Sequence, residues 1–186
     1  MANARRLVTH RSRAALVIAA ALLACFAAAA ASAAASARAR RSQTAAALRV
    51  SPQLWATIDV CSPPHQRYTI GIRGSMPSDG QLRDPMYMRF RLQYVDLTSQ
   101  RWTDLASADS GFLPVGASHS ARQAGRSFVL FAPSGGMVFT LRGVVSFQWR
   151  HAGKLLASVS RATSAGHQSL AGADPPNYSA ATCRIS

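Results

Sequence analysis

Apolar and polar residues alternate with a period of two over most of the chain that follows residue 50. The clearest run is Met86–Val95, where one set of alternate positions is apolar and the other is largely polar. The apolar set is Met86, Met88, Phe90, Leu92 and Tyr94, and the other set is Tyr87, Arg89, Arg91 and Gln93. Because successive side chains of a strand point to opposite faces, this run predicts a β-strand with one face in a core and one in water.

A second long run, Met137–Val159, predicts a hairpin at the centre of the fold. Its apolar positions of one parity include Val145, Phe147 and Trp149. Residues 151–154 (His-Ala-Gly-Lys) then supply a reversal, in which Gly153 can adopt a positive φ. Upstream, Gly143 interrupts the apolar series and predicts a bulge or the close approach of another chain segment.

Shorter segments of the same alternating type are separated by turns rich in Gly and Pro. They are Leu54–Val60, Tyr68–Ile72, Arg101–Leu105, Phe112–Val115, Arg126–Ala132 and Ser179–Ile185. Proline in Phe112–Val115 predicts an edge strand, because proline cannot donate to a hydrogen-bond ladder. Ser118–Gly125 is polar and is predicted to be a loop. The whole pattern predicts an all-β fold, a single antiparallel immunoglobulin-like β-sandwich of about 7–9 strands.

The N-terminus has the composition of an export signal. Its basic residues are Arg5, Arg6, Arg11 and Arg13. An apolar stretch, Ala14–Ala31, follows, and then the small residues Ala35-Ser36-Ala37. A basic region, an apolar region and a small-x-small cleavage site in this order are typical of a secretory signal peptide. We therefore predict a helical signal peptide over residues 1–37 and a secreted or cell-envelope protein.

Two alternatives for this segment stay open. The apolar stretch is long enough to be a retained membrane anchor, although alanine is only weakly hydrophobic and positive charge resumes directly after it. Leu22–Cys25 resembles a lipobox, which would make Cys25 a lipidated residue, although the residues after Cys25 stay apolar. An uncleaved signal or a lipidated Cys25 is the only route to membrane attachment that the sequence predicts.

The remainder of the chain is predicted to form one domain. Residues 38–50 are mostly Ala, Arg, Ser and Gln, and this composition predicts a flexible linker. Residues 51–186 are about 136 in number, enough for one domain and too few for two of ordinary size. We therefore predict a β-sandwich domain over residues 51–186.

The cysteines predict one disulfide bond. Cys25 leaves with the signal peptide, so Cys61 and Cys183 remain as a pair in an exported chain. An even number of cysteines in an oxidising compartment favours a disulfide over two free thiols. Without a companion cluster of Cys or His, the two residues do not make a zinc site, and no metal is predicted.

The protein is strongly basic, with a formal net charge of +14. Of its 21 Lys and Arg residues, four precede residue 38, so 17 basic and 7 acidic residues remain after removal of the signal. All but one of these 17 are Arg, and the chain contains no Glu. Coding bias toward arginine in GC-rich genomes is the simpler explanation. The functional explanation is affinity for anionic wall polymers, lipid headgroups or nucleic acid.

Arginines recur at outward positions of the two longest predicted strands. These possible anion-binding residues are Arg89, Arg91, Arg142 and Arg150. If the two strands are neighbours, one sheet presents an arginine face, and the guanidinium fork suits phosphate or carboxylate. The alternative is a solvated surface that only keeps the sheet soluble.

Two tryptophans raise the question of sugar binding. Trp102 and Trp149 would suggest stacking on a sugar if both were exposed on one sheet. Because Trp149 shares the parity of Phe147, a position in the core is predicted instead.

The strand pattern resembles immunoglobulin-like and fibronectin-III-like modules. The chain also resembles uncharacterised secreted proteins of GC-rich bacteria, through ARQAGRSF at Ala121–Phe128, LRGVV at Leu141–Val145 and YSAATC at Tyr178–Cys183. This resemblance implies a fold and an extracytoplasmic location but no activity. The chain departs from true immunoglobulin domains in the wide spacing of its cysteines and in Tyr178, which lies five residues before Cys183 rather than two.

Residues that point to catalysis are scarce. The sequence contains no Gly-x-Ser-x-Gly elbow, phosphate-binding loop or zinc-protease helix. The pairs Asp79/Asp84 and Asp104/Asp109 are predicted to be turn formers. His65, His119, His151 and His167 are predicted to lie in loops or turns without metal-ligand spacing.

We therefore expect a non-catalytic binding or scaffolding module without a cofactor, whose partner the residues do not identify. An anionic envelope polymer or another envelope protein fits, and a sequence-specific nucleic acid does not. A small hydrolase with a site built from loops is the remaining, disfavoured alternative.

Overall fold

The computed structural model describes residues 33–167 and 170–186. Most of the predicted signal peptide, including Cys25, lies outside the described residues. The chain divides into two compact units, Met1–Gln43 and Thr44–Ser186, and the second unit contains all the strands described below.

Residues 33–50 are helical, so the prediction of a flexible linker over residues 38–50 was wrong. Alanine has the highest helix propensity, and residues 45–47 are all Ala. Ala45 and Leu48, three residues apart and therefore on one face, are buried in the hydrophobic core. Ser51-Pro52 follows the last helical residue, as expected where proline disfavours the helical conformation before it. Within the described ranges, no helix is both long and apolar enough to cross a membrane.

Besides the last part of this helix, the second unit contains eight strands and one short 3-10 helix as far as it is described. The strands are β1 (Trp55–Cys61), β2 (Thr69–Met76), β3 (Pro85–Asp96), β4 (Arg101–Ala117), β5 (Arg122–Val129), β6 (Phe139–His151), β7 (Lys154–Ala162) and β8 (Cys183–Ile185), and the 3-10 helix is Pro64–Gln66. The first sheet has the order β1-β2-β5. The second sheet has the order β4-β3-β6-β7, and β8 pairs with the first part of β6. All these pairs are antiparallel, which confirms the predicted all-β sandwich.

The pairing of β3 with β6 places the core. It runs without a register shift from Met86 opposite Trp149 to Tyr94 opposite Leu141. The alternation predicted for β3 is confirmed, because Met86, Met88, Phe90 and Leu92 are all fully buried. Trp149 is fully buried as well, and its indole Nε1 donates a hydrogen bond to the carbonyl oxygen of Pro77 at 2.8 Å. This bond satisfies the one polar atom of the largest core side chain.

The predicted hairpin between β6 and β7 is also confirmed. Its two-residue turn is Ala152-Gly153, and both residues have positive φ (48° and 76°), the conformation that matches the right-handed twist of paired strands. Gly143 marks a close approach, as predicted. A Cβ atom there would lie 2.7 Å from Cγ2 of Thr163 and 2.9 Å from Cδ1 of Ile72, a residue of the other sheet.

The structure corrects several strand boundaries. β4 is one strand of 17 residues, whereas the sequence predicted two separate short segments. β3 has only 12 residues, and register shifts take up the additional residues of β4 so that the two strands stay paired. Pro114 is tolerated because β4 is at the edge of its sheet, as predicted. β5 begins at Arg122 and ends at Val129. It therefore includes the second half of the predicted loop Ser118–Gly125 and the first half of the predicted strand Arg126–Ala132. Its main chain pairs with β2 although few of its side chains are buried.

The segment before β8 covers the free edge of β1. Main-chain hydrogen bonds join Ile58 to Ala180 in both directions, at 2.9 and 3.0 Å, and the amide of Asp174 donates to the carbonyl oxygen of Asp59 at 2.8 Å. Thr57 and Asp59, which alternate with the core residues Ala56 and Ile58 along β1, are buried as well. The hydroxyl of Thr57 lies 2.7 Å from that of Ser179 in this segment.

The predicted disulfide bond is confirmed. Cys61, the last residue of β1, is bonded to Cys183, the first residue of β8, with a Cα–Cα distance of 5.6 Å. The bond therefore joins one sheet to the other.

Replacing both Cys61 and Cys183 by serine should lower the free energy of unfolding. The bond closes a loop with a sequence separation of 122 residues, for which loop entropy gives an upper figure of about 4–5 kcal/mol. Urea unfolding of the oxidised wild type and of the double variant measures this difference. A loss below about 1 kcal/mol would contradict a stabilising role for the bond.

Candidate functional site

The outer surface of the second sheet carries the candidate site. Because β3 and β6 are neighbours, the outward side chains of both strands share one surface. Arg89 is opposite Ser146, Arg91 is opposite Val144, and Arg142 is opposite Gln93. We call Arg89, Arg91, Arg142 and Arg150 the arginine face. The structure brings these four residues to one sheet surface, while their affinity for anions stays a prediction.

Two members of the arginine face have carboxylate partners on β4. Arg89 forms a bidentate pair with Asp109, in which Nε donates to Oδ1 at 2.8 Å and Nη2 donates to Oδ2. Nη1 of Arg91 donates to Oδ2 of Asp104 at 2.7 Å. The hydrogen bond from Arg89 lowers the pKa of Asp109 from 3.8 to about 2. The charges of these two arginines are therefore largely compensated.

The other two members have aromatic and amide neighbours instead. The guanidinium carbon of Arg142 lies 4.3 Å from the ring centroid of Trp102, and its Nε donates to Oε1 of Gln93 at 2.8 Å. Burial lowers the pKa of Arg142, against the opposing effect of the charge of Asp104, and the side chain stays cationic at neutral pH.

Arg150 has the same kind of surroundings at the other end of β6. Its guanidinium carbon lies 4.8 Å from the ring centroid of Tyr87, and its Nη2 donates to Oε1 of Gln148 at 3.1 Å. Among the described residues, no carboxylate lies within 4.0 Å of Arg142 or Arg150, so the uncompensated positive charge of the face is concentrated on these two.

Sequence analysis missed the aromatic and acidic members of this surface. Trp102 was predicted to lie in the core, but it is opposite Val95 and partly exposed below Arg142; only Trp149 is a core residue. Asp104 and Asp109 were interpreted as turn formers, but both lie in β4 and pair with arginines. Register shifts between Asp104 and Phe112 break the simple alternation of β4 and hid the roles of the two aspartates. Trp102 lies in a regular part of the pairing, and its prediction as a core residue rested only on the parity of Trp149.

Arg184 was also missed. It is opposite Thr140 in the pairing of β8 with β6, and it is exposed on the same side of the sheet as Arg142. The position of Arg184 between the buried residues Cys183 and Ile185 was the signal in the sequence that could have indicated an outward side chain.

Four histidines have partners outside the arginine face. His65 pairs with Asp174 at 2.9 Å, His151 pairs with Asp84 at 2.8 Å, and His119 is within 3.1 Å of Arg122. His167 stacks on Trp55 with a centroid distance of 4.2 Å, and burial lowers its pKa. In the described ranges, no group of three or more His, Cys, Asp or Glu residues is placed to hold a metal ion.

A second polar cluster lies on the first sheet. Nε of Arg73 donates to Oδ2 of the buried Asp59 at 2.7 Å, and Nη2 of Arg73 donates to the carbonyl oxygen of Ala171, also at 2.7 Å. An adjoining open cleft of about 290 Å³ is lined by these two charged residues, Arg126 and Gly172, among others. The bonds of Arg73 tie the segment before β8 to the first sheet, so the pair has a structural role.

Comparison with known proteins gives likeness in fold only. No family model matches the sequence, and no curated protein matches it. Among solved structures, a β-glucuronidase 2 from Bacteroides uniformis, covalently bound to cyclophellitol-6-carboxylate aziridine, has a TM-score of 0.35 and 15% identity, over 61% of this chain and 13% of the enzyme. The alkylpurine DNA glycosylase AlkC of Pseudomonas fluorescens, bound to DNA with an abasic site analog, has a TM-score of 0.28 and 14% identity, over 50% of this chain and 25% of the enzyme.

The sporulation control protein Spo0M of Bacillus subtilis has a TM-score of 0.26 and 12% identity, over 58% of this chain and 46% of Spo0M. The chain thus spans less than half the length of each of these proteins. Likeness at this level concerns β-rich folds and carries no argument about activity.

The pair of Arg89 and Asp109 should make stability depend on acidic pH. Because the folded pKa of Asp109 is about 2, below the ordinary 3.8, the pair stabilises the fold above the ordinary value and this contribution is lost as pH falls toward 2. Asp109→Asn should therefore flatten the fall in melting temperature between about pH 5 and pH 2.

The variant Arg89→Gln provides the matched control, because it removes the same pair from the other side. It should reduce the fall in melting temperature between about pH 5 and pH 2 to a similar degree, and the double variant should reduce this fall little further. A fall in melting temperature that is as steep in Asp109→Asn as in the wild type would contradict the assignment of the pair.

Proposed function

We propose that this protein is an exported, non-catalytic β-sandwich module that binds anionic polymers of the cell envelope through the arginine face. The observation that carries the proposal is the setting of Arg142 and Arg150, two cations held over aromatic rings on an outer sheet surface and without an ion-pair partner in the described chain. The N-terminus, which resembles a signal peptide, supports an exported location. The excess of arginine supports a negatively charged ligand.

The aromatic rings suit these two arginines to anion binding. A guanidinium that lies over a ring has its plane and position fixed, while its edge N–H groups stay free to point at an oxygen anion. Tyr87 fixes Arg150 and Trp102 fixes Arg142, and each also has one amide partner. Less conformational entropy is therefore lost when a phosphate or carboxylate binds.

The spacing of the two arginines favours a polymer over a small anion. Arg142 and Arg150 are eight residues apart on one strand, which corresponds to roughly 25 Å. One phosphate or one sugar acid cannot contact both, whereas a chain with repeated negative charges can. Arg89 and Arg91 lie between them and could exchange their aspartate partners for charges of the polymer.

Exchange of Arg142 and Arg150 for serine should weaken polymer binding by about tenfold or more at low salt and should reduce the salt dependence. Poly(glycerol phosphate) and heparin are suitable ligands, and biolayer interferometry at low and high salt measures the affinity. The double variant Asp104→Asn with Asp109→Asn should do the opposite, since it releases Arg91 and Arg89 from their carboxylates.

Arg83 and Arg126 provide the matched control. Both are exposed, and neither lies on the arginine face. Their exchange for serine removes the same charge, so it should leave affinity nearly unchanged if the face is the site. Equal loss in both double variants would mean that only net charge attracts the polymer, and no loss in the Arg142/Arg150 variant would refute the proposal.

A further inference from the structure

Exposed apolar side chains are concentrated at one end of the sandwich. At this end lie the β1–β2 connection, the β3–β4 turn and the loop from β5 to β6, which together we call the loop end. The exposed apolar residues there are Leu97 (70% exposed), Val129 (78%), Phe131 (98%), Met137 (45%) and Val138 (40%). They make up more than half of the large apolar side chains that are exposed in the described chain. Such concentration indicates an interaction surface, whereas exposed apolar residues scattered singly do not.

An apolar groove opens between the two sheets at the same end. Its volume is about 430 Å³, and its lining includes Leu130 and Phe131 from the loop, Tyr94 from β3, Phe139 from β6 and Ile185 from β8. Leu130 and Phe139 pack against the hydrophobic core, so the groove continues the core outward to the exposed ring of Phe131.

Basic residues border this apolar surface. The amide of Leu130 donates to the carbonyl oxygen of Tyr68 at 2.9 Å, which joins the residue before Phe131 to the residue after Arg67. A neighbouring cleft is lined by Arg67, Arg184 and Ile185, and Ile185 also lines the apolar groove. Both arginines are exposed, and neither forms an ion pair within the described residues.

We propose that the loop end docks on the surface of an anionic lipid bilayer. Phe131, with its apolar neighbours, enters the interfacial region, while Arg67 and Arg184 bind lipid phosphates. Stable peripheral attachment needs two contributions, apolar insertion and attraction between basic residues and acidic lipids, and the loop end provides both. Of the residues named, only Arg184 lies on the same side of the second sheet as Arg142. Phe131 and Arg67 belong to the loop from β5 to β6 and to the β1–β2 connection, so the proposal does not rest on the arginine face.

The shape of the loop end favours a bilayer over a folded protein partner. The apolar residues lie in the β3–β4 turn, at the end of β5 and in the loop from β5 to β6, and the ring of Phe131 is almost completely exposed. A ring that projects into solvent in this way can be buried at the boundary of headgroups and acyl chains. Tyr68 and Tyr94 are half-buried at the same end, and tyrosine is a side chain that the membrane interface favours.

Quenching by brominated lipids tests the position of residue 131. Phe131→Trp in the full chain should show strong quenching on vesicles that contain brominated phosphatidylglycerol and weak quenching on vesicles of phosphatidylcholine alone. Leu82→Trp is the matched control, because Leu82 is 76% exposed at the opposite end of the sandwich, and quenching there should not exceed that of the natural tryptophans. The N-terminal segment is identical in all variants, so it cannot produce a difference between the two positions.

Partitioning of variants separates the two contributions. Phe131→Ser should lower the vesicle partition coefficient of the full chain by about tenfold, and Leu82→Ser should leave it unchanged. Loss of Arg67 or Arg184 should lower partitioning to phosphatidylglycerol vesicles by about fivefold for each arginine at low salt, and the Arg83/Arg126 control should have little effect. The Arg142/Arg150 variant should keep the quenching at position 131, which separates failure of this proposal from failure of the proposed function.

Several results would overturn the proposal. Equal quenching at positions 131 and 82 would mean that another part of the chain holds the protein on the vesicle, and quenching at neither would mean that the loop end does not insert. A dimer in light scattering that Phe131→Ser dissociates, without an effect on vesicles, would assign the surface to a second copy of the chain. Partitioning that is unchanged in Phe131→Ser would refute apolar insertion directly.

Discussion

The register between β3 and β6 is the constraint on which both the core and the candidate site depend. Phe90 and Phe147 point inward from these strands, and Arg89 and Arg142 point outward. Because side chains alternate, a slip of one residue would turn over one of the two strands and would move its phenylalanine to the surface and its arginine into the core. The arginine face is therefore the outer side of the same pair of strands that buries Trp149. The pairing that forms the core also decides which residues lie on this face.

Strong alternation made the central strands predictable from sequence, and weak alternation hid the rest. Burial of Phe90 and Trp149 follows from their parity, and the turn at Gly153 follows from its backbone freedom. In β5 the polar residues after Ser118 gave no signal, since pairing of main chains needs no apolar side chains. The helix at residues 33–50 was missed because a composition rich in alanine and arginine suits both an irregular linker and a helix whose apolar face finds a partner.

The candidate site was predictable in position and not in chemistry. The sequence places four arginines on outward positions of two strands, and the structure makes those strands neighbours. Only the fold decides which of these cations are compensated, because Asp104 and Asp109 reach Arg91 and Arg89 through a strand with shifted register. The loop end was not predicted at all, because residues far apart in the chain, such as Arg67, Phe131 and Ile185, meet only when the two sheets pack.

Nuclear Overhauser effects between α-protons of β3 and β6 in the labelled protein test the central claim most directly. Opposite residues of an antiparallel pair approach to a Cα–Cα distance of about 4.5 Å at every second position and give strong effects there. In the register described above, Phe90 is opposite Val145 and Arg91 is opposite Val144. One of these two pairs, with every second pair on either side of it, should therefore give the strong effects. Effects that connect Phe90 with Val144 or with Ser146 instead would show a register shifted by one residue and would contradict both the core and the arginine face.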